Sequence, residues 1–493
     1  MKRITALLLC LLLASQLCAC TTESAQPTAS PETTVEVSRG EADGDVNKLA
    51  ASAVAYTDSF QNAEGTVNIQ VNFKDVQLLD LNFGSLRVSP RPFTEEEAER
   101  AARVLFGEDA VLYEWKERPY QYTKAELEKS RAIWQELLEG DRLTELYGDN
   151  SNLYRDLLES CLEQYQVENM PDSIERTACS FTYKSQASYH PVSSDGYIWP
   201  EDWRSIEAVT EINGLPYHFS VDDNTDRGRR VYSIAAYIST ETLSPLSVEE
   251  DLMILGLLSP EGATVEQLDA VREKAEKMIA ALDIGQWQIN CCESRPHDLS
   301  DVTPLKEILV TAVPVYNDIP VLRQTQPSGL SDDGQDVYYQ NISFSFAPDG
   351  TLLRFEMYSP MEVTEESVEE LRTLSFTELM DSLKSQLTPL AAEDYAHYPM
   401  YPGDTTTAEV FADGIQLGYS RVLVENSADY LLVPSVTILG NYRSDIMTQD
   451  NTGAPVTISY DFRAEEGRDA VLLTLNATDG SAISTGSIPG LNP

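Results

Sequence analysis

Residues 264–292 read TVEQLDAVREKAEKMIAALDIGQWQINCC and contain one predicted helix followed by one predicted strand. Thr264 and Gln267 have the spacing of a capping box, which marks a helix N-terminus. Apolar residues then recur at helical spacing, and the segment Gln286–Cys292 has strand character. The helix is expected to bury Leu268, Val271, Ala275, Met278, Ile279 and Leu282.

The same arrangement occurs near the start of the chain. Thr94 and Glu97 form a second capping box, Gly107 supplies a helix stop, and residues 110–115 return as a strand. Before this helix, residues 66–73 alternate apolar and polar side chains, as a half-buried strand does. Helices that cover meandering strands predict an α+β fold, with tandem modules of short helices packed on antiparallel sheets, rather than a doubly wound sheet.

The remaining pattern extends this prediction along the chain. Further helices are expected from the caps at Thr123, Ser247 and Ser375 and from the apolar spacing of residues 153–165. Further strands are expected at residues 75–88, 173–189, 205–221, 231–239, 307–316, 337–346, 351–358, 409–424, 429–439, 456–462 and 470–475. A composition shift at residues 242–245 predicts a boundary. The expected organisation is a signal peptide (1–19), a flexible tether (20–48), an N-terminal α+β domain (49–243), a C-terminal α+β domain (244–478) and a loose tail (479–493).

The N-terminus has the order of a secretory signal: Lys2 and Arg3, an apolar run, and small residues before a cysteine. The run is too short to span a bilayer, which takes about 20 apolar residues. Leu17-Cys18-Ala19-Cys20 resembles the lipobox of bacterial lipoproteins, which implies that a lipid on Cys20 holds the protein at the outer face of the cell membrane. The alternative is an ordinary signal peptide that is cut elsewhere. The Ser, Thr and Pro-rich segment after Cys20 is typical of a flexible tether.

Charge and cysteine content narrow the function classes. The 493 residues include 80 acidic and 35 basic ones, a net charge of −45. This negative charge argues against binding to nucleic acid and against docking on anionic lipid head groups. The charge either attracts a cation or a basic partner, or serves only to keep the protein soluble. Cys161 and Cys179 could pair outside the cell, but free thiols are the default expectation for these two and for Cys291 and Cys292, whose side chains should point to opposite faces of a strand.

Four short segments carry a resemblance to known families. Residues 56–60, 65–69, 415–419 and 430–434 resemble an uncharacterised family of lipoproteins from Gram-positive gut anaerobes. The chain is also similar in layout to accessory proteins of the YycH/YycI type, which regulate a cell-wall sensor kinase from outside the cell. The helix-then-sheet pattern is similar to PepSY-type and cystatin-like modules. These resemblances imply an envelope protein partner and assign no catalytic residues.

Common catalytic motifs do not occur in the sequence. The four histidines form no His-Glu-x-x-His, and there is neither a Gly-x-Ser-x-Gly elbow nor a phosphate-binding Gly-x-x-x-x-Gly-Lys loop. His218 is expected to be a sheet residue with satisfied hydrogen bonds. The sequence predicts no cofactor.

Two groups of residues are candidate binding sites. One group combines aromatic side chains, which can stack on sugars, with two acidic side chains. It is either a contact site for a ligand or glycan, or a structured loop packed on its own core. It comprises Tyr197, Trp199, Glu201, Asp202 and Trp203. The other has the first spacings of a calcium loop and is either a cation site or an acidic hairpin tip. It comprises Asp222, Asn224 and Asp226.

These observations favour a non-catalytic binding or accessory module of the cell envelope, anchored through Cys20 and contacting a protein or the cell wall. One alternative is an extracellular hydrolase that uses a pair of acids on glycans or peptides. Another is a solute-binding lipoprotein, although the meandering strands differ from the repeated strand-helix-strand units of that class.

Overall fold

The structure is a computed structural model, and it describes only part of the chain. The described residues are 34–36, 53–77, 84–115, 123–141, 143–144, 151–185, 203–226, 229–239, 256–258, 261–296, 305–322, 328–330, 336–338, 341–358, 360–366, 373–394, 405–424, 429–449, 454–461 and 470–483. The signal segment, Cys20, the Ser247 cap and most of the aromatic and acidic group lie outside them. The members of that group that lie outside are Tyr197, Trp199, Glu201 and Asp202.

The described elements confirm the α+β fold. The helices are α1 (Glu95–Phe106), α2 (Lys124–Glu139), α3 (Ser151–Gln164), α4 (Val265–Leu282) and α5 (Phe376–Asp394), with a 3-10 turn at Val167–Asn169. The strands are β1 (Thr34–Glu36), β2 (Ala53–Gln61), β3 (Val67–Gln77), β4 (Leu86–Pro90), β5 (Tyr113–Glu114), β6 (Lys184–Ser185), β7 (Arg204–Ile212), β8 (Leu215–Asp226), β9 (Arg229–Ile238), β10 (Gln286–Pro296), β11 (Lys306–Tyr316), β12 (Ile319–Pro320), β13 (Ser328–Leu330), β14 (Asp336–Tyr338), β15 (Asn341–Phe346), β16 (Leu352–Tyr358), β17 (Met361–Glu366), β18 (Thr405–Leu423), β19 (Tyr430–Gln449), β20 (Pro455–Asp461) and β21 (Ala470–Asn476).

Two large sheets organise the molecule. The nine-stranded sheet I has the order β1-β2-β3-β18-β19-β4-β17, with β20 and β21 also paired to β19. The ten-stranded sheet II has the order β10-β11-β15-β16-β9-β8-β7-β5, with β12 and β6 at its margins. Neighbouring strands are antiparallel except for β18 and β3, which are parallel.

The predicted boundary between residues 243 and 244 does not separate the two sheets, and the domain prediction needs correction on this point. In sheet I, β3 pairs with β18, and in sheet II, β9 pairs with β16. Each sheet therefore contains strands from both predicted domains. The strands of sheet II lie between β4 and β17 in the chain, so sheet II is an insertion within the chain that forms sheet I. The two crossing segments lie together, because the Arg91 amide donates to the Pro360 carbonyl at 2.9 Å.

Helix α5 covers one face of sheet I. Its N-terminus is capped as predicted, since the Glu378 amide donates to Ser375 Oγ at 3.3 Å. Alternate residues of β3 from Val67 to Phe73 face the same core. The helix buries Leu379, Met380, Leu383, Leu387 and Ala391 against these strands.

Helices α1 and α4 contact each other and cover one face of sheet II. Both predicted capping boxes are present, at Thr94 with Glu97 and at Thr264 with Gln267. All the residues predicted for the α4 stripe lie in or against this core, with Leu268 partly buried. The sequence pattern therefore located both helices and the buried face of α4 correctly.

A small helical unit follows β5 and has its own core. It consists of α2, α3 and the 3-10 turn, packed around Trp134, which is fully buried. Arg131 Nη1 donates to the Leu162 and Tyr165 carbonyls at 2.7 and 2.5 Å, which satisfies the C-terminal end of α3. The strand predicted at residues 173–189 is described as far as residue 185. Residues 173–183 are irregular apart from a bridge at Ala178, and a strand forms at Lys184–Ser185.

Strand β12 joins the two sheets. The Leu322 amide donates to the Tyr419 carbonyl at 2.7 Å, and Val321 forms a parallel bridge with Tyr419. Gly418 makes this approach possible, because a Cβ there would stand 2.4 Å from the Pro320 carbonyl oxygen. The contact buries a small apolar cluster from both sheets. It comprises Leu86, Val88, Val321, Met361, Tyr419, Tyr430 and Leu432.

Two predicted flexible segments are partly paired. Thr34–Glu36, within the predicted tether, pairs with β2 as an edge strand, for which the β-branched residues Thr34 and Val35 are suited. In the predicted loose tail, the Ile483 amide donates to the Thr474 carbonyl at 2.8 Å. Composition identified these segments as polar, but it did not show that a neighbouring strand offered unpaired backbone groups.

None of the four described cysteines, Cys161, Cys179, Cys291 and Cys292, forms a disulfide. Cys292 faces α4, where its thiol lies 3.6 Å from the Leu268 carbonyl oxygen. Burial raises the pKa of the Cys161, Cys179 and Cys292 thiols, which disfavours their reactive thiolate forms.

Candidate functional site: a polar and aromatic cluster on sheet II

The candidate site lies on the face of sheet II opposite α1 and α4. In β7, Ile206 and Ala208 face the core, so Glu207 points to the opposite face. In β8, Phe219 and Val221 face the core, so His218 and Asp222 share the face of Glu207. Strand alternation therefore places these three titratable side chains together.

A tight turn sets the register of this pair of strands. Asn213 and Gly214 connect β7 to β8 with φ values of 54° and 80°. Two consecutive positive φ values are typical of the type I′ hairpin, whose twist matches that of antiparallel strands. The Asn-Gly dipeptide is a hairpin signal that the sequence analysis missed. The resulting cross-strand neighbours on the outer face are Ser205 with Asp222, Glu207 with Ser220, and Val209 with His218.

His218 lies between a carboxylate and two aromatic rings. Its Nε2 is 3.5 Å from Glu207 Oε2, and both side chains are largely buried, with exposures of 13% and 15%. The Trp115 ring centroid is 6.3 Å from the imidazole and the Tyr237 centroid is 5.1 Å from it. The Trp115 amide donates to the Glu207 carbonyl at 3.0 Å, which ties the indole to the same strand.

Asp222 has a perturbed acidity. Burial raises the pKa of its carboxyl to about 6, and the nearby Glu207 carboxylate acts in the same direction. Side-chain donors of Ser220 and Trp203 lie beside the carboxylate and favour its ionised form, as does His218. Of the aromatic and acidic group predicted from sequence, Trp203 is the described member, and it lies at this cluster.

Replacing Asp222 with Asn should remove a pH dependence of stability. The folded-state pKa of about 6 lies above the reference value of 3.8, so the folded state binds the proton more tightly than the unfolded chain. The free energy of unfolding should therefore fall as pH rises from about 4 through about 6, and the loss should be of the order of 2 kcal/mol.

Urea unfolding of the wild type and Asp222→Asn at both ends of this pH range measures the effect. The stability of the wild type relative to the variant should decrease toward neutral pH. A difference between the two proteins that stays constant with pH would contradict the assignment.

The calcium-loop prediction is not supported by the backbone. Asp222, Asn224 and Asp226 lie in the extended strand β8 rather than in a loop. Alternate residues of a strand are about 7 Å apart along its length, whereas the backbone of a calcium loop curls around the ion. Within the described part of the chain, no group of three or more His, Cys, Asp or Glu side chains is arranged to hold a metal ion.

The neighbouring Asp223 has a structural role instead. It points to the core face, is 1% exposed and forms an ion pair with Arg204. The sequence did not distinguish Asp222 from Asp223, because two adjacent acids in a strand differ only in the face that each one occupies.

Comparisons with known proteins leave the function open. No family model matches the chain, and no curated protein matches it. Among solved structures, the chain is similar to an uncharacterized protein from Eubacterium rectale ATCC 33656, at 11% sequence identity and a TM-score of 0.36 over 87% of this chain and 93% of that chain. A similarity this distant carries no argument about function. Over the ranges that the structure describes, no helix is both long and apolar enough to cross a membrane.

Proposed function

We propose that the protein is an extracytoplasmic lipoprotein, anchored through Cys20, that serves the cell envelope as a non-catalytic binding or accessory module. The lipobox-like sequence supports the location. The observation that carries the binding role is the cluster of Glu207, His218 and Asp222 beside the Trp115 and Tyr237 rings. Aromatic rings next to charged groups supply both contact area and orientation for a ligand.

One observation favours an acid-pair hydrolase as the second candidate. The raised pKa of Asp222 is the property that a general acid requires, and Glu207 provides a second carboxylate on the adjacent strand. Diagonal neighbours on paired strands are about 7–8 Å apart, which is compatible with paired carboxylates in glycosidases. If this candidate is correct, Asp222→Asn should abolish turnover of a glycan or peptide substrate without unfolding the protein.

In-cell crosslinking tests the accessory role. Crosslinking of the tethered protein, followed by mass spectrometry, should recover one dominant envelope protein from the membrane fraction. Cys20→Ala should release the protein from the membrane and abolish this capture, because several acyl chains on one cysteine anchor a protein firmly and this variant has no site for them. Cys18→Ala is the matched control, since Cys18 precedes the expected cut and is not the lipidated residue.

Two results would contradict the proposal. The first is retention of Cys20→Ala at the membrane, which would remove the lipid anchor from the argument. The second is turnover of a cell-wall substrate by the purified ectodomain, lost on Asp222→Asn, which would establish the hydrolase instead.

A further inference from the structure

Strand β20 is an open edge of sheet I. Within the described part of the chain it pairs with β19 alone. Residues 454–457 and Ser459 are exposed, and Val456 is 39% exposed. A strand uses only alternate backbone groups for one neighbour, so the other half of those in β20 face away from β19, where a further strand can pair with them.

Strand β20 lacks the features that protect other edges of the molecule. Natural edge strands carry charges, prolines or bulges that prevent pairing with another chain. At one end of sheet I, β17 carries three glutamates, and the edge strand β10 of sheet II has a register shift between Ile289 and Cys291. Residues 456–460 of β20 read VTISY, with no charge and with β-branched or aromatic residues at every position except one.

The sequence of β20 is self-complementary in an antiparallel pair. A two-fold axis at Ile458 places Thr457 opposite Ser459 of a second copy, and Val456 opposite Tyr460 of that copy. Residues with hydroxyl groups then pair with each other, and so do apolar and aromatic residues. Both kinds of cross-strand pair stabilise a sheet.

The acids near β20 do not oppose this pairing. Asp445 of β19 lies beside Ser459 and accepts hydrogen bonds from Ser459 Oγ at 2.5 Å and from Arg443 Nε at 3.2 Å, so its charge is compensated within its own copy. The two Asp461 residues would lie on opposite sides of the axis, about 20 Å apart and beyond the Debye length of about 8 Å. The net charge of −45 therefore places no like charges opposite each other along this strand.

We propose that two copies of this protein associate through β20, which pairs with itself about a two-fold axis at Ile458 and joins two copies of sheet I into one continuous sheet. The interface consists chiefly of one strand from each copy, so it is smaller than the roughly 1,200–2,000 Å² of stable complexes. We therefore expect a weak dimer, with a dissociation constant of about 0.1 mM. The inference goes beyond the proposed binding role and uses no residue of sheet II.

Cysteine substitution tests the register of the pair. The protein used is residues 21–493, which include every described element but lack Cys20. Ile458→Cys places two thiols opposite each other, with Cα atoms about 4.5–5.5 Å apart, which suits a disulfide. Val456→Cys is the matched control, because its two copies would stand about 14 Å apart although residue 456 is the more exposed. Under mild oxidation, Ile458→Cys should form a disulfide-linked dimer about 10-fold faster than Val456→Cys.

Sedimentation of the unsubstituted chain provides a measurement that does not depend on how the cysteine variants fold. At the expected dissociation constant, roughly two-thirds of the chains are dimeric at about 0.3 mM and roughly 15% at about 10 µM. Thr457→Glu imitates the protection of β17 at an exposed position, and it places a carboxylate opposite Ser459 and near Asp445 of the second copy. This change should weaken the dimer by about 10-fold.

Three results would overturn the proposal. A monomer at both concentrations would leave the edge to an extended segment of a different protein. Equal rates of disulfide formation by Ile458→Cys and Val456→Cys would show random collision rather than a defined pair. Association that Thr457→Glu does not weaken would place the interface elsewhere. These measurements are made in solution, so their failure is separate from a failed membrane anchor or a failed partner search in cells.

Discussion

Gly440→Ala is expected to destabilise sheet I by about 3 kcal/mol or more, since it forces extra volume into a packed site. Gly440 lies in β19, opposite Ala412 of β18. A Cβ at this position would stand 1.9 Å from the Phe411 carbonyl oxygen and 2.8 Å from Leu472 Cδ1. The carbonyl belongs to the backbone of a strand paired along its length, so it cannot move without a loss of strand pairing.

Urea unfolding of Gly440→Ala, with hydrogen exchange to locate the change, measures this effect. Gly414→Ala is the comparison, because the nearest atom to its added Cβ is a side-chain carbon of Leu439 at 2.9 Å rather than backbone. We expect a smaller loss there. Equal losses at the two positions would contradict the backbone clash as the cause.

Phe344→Ala is expected to destabilise sheet II by about 3–5 kcal/mol, the range for removing a large aromatic side chain from a core. Phe344 is fully buried, and its ring centroid is 4.9 Å from that of Phe355 and 5.6 Å from that of Phe346. The substitution therefore removes both buried apolar area and aromatic contacts. Ser343→Ala, on the other face of the same strand, should change stability by less than about 0.5 kcal/mol.

Hydrogen exchange of Phe344→Ala also tests the insertion architecture. Sheets I and II have separate cores, and they meet through β12 and the two crossing segments. We expect amide protection to fall in β8, β9 and β15 while β3 and β18 remain protected, as in separate cooperative units. Equal loss of protection in both sheets would show that the two sheets unfold as one unit.

The residues of the candidate site could be predicted from the sequence only in part. The sequence predicts Trp203 as a member of an aromatic and acidic group and Asp222 as a member of a calcium loop, and nothing in the sequence connects the two groups. The structure places them together, because β7 and β8 pair in a register set by the Asn213-Gly214 turn. Recognition of that dipeptide would have predicted the hairpin and the shared face of Glu207 and Asp222. The sequence does not predict Trp115 as a member of the site, because its position depends on the pairing of β5 with β7.

Local patterns were sufficient for the helices in the described part of the chain and for the fold class. The capping boxes at Thr94, Thr123 and Thr264 are present in the structure, because a cap depends on contacts within four residues. Alternation in residues 66–73 likewise identified β3 and its buried face. These features, together with the lipobox-like N-terminus, are encoded within short windows of the chain.

Sheet membership required the folded chain. Nothing in the alternation of β3 specifies β18 as its neighbour, since period-two patterning names the buried face of a strand and not its partner. Sheet II therefore lies inside the chain that forms sheet I, and the sequential boundary at residue 243 does not separate the sheets. The acidity of Asp222 follows the same rule: its carboxylate is ordinary in sequence, and burial beside Glu207 changes it.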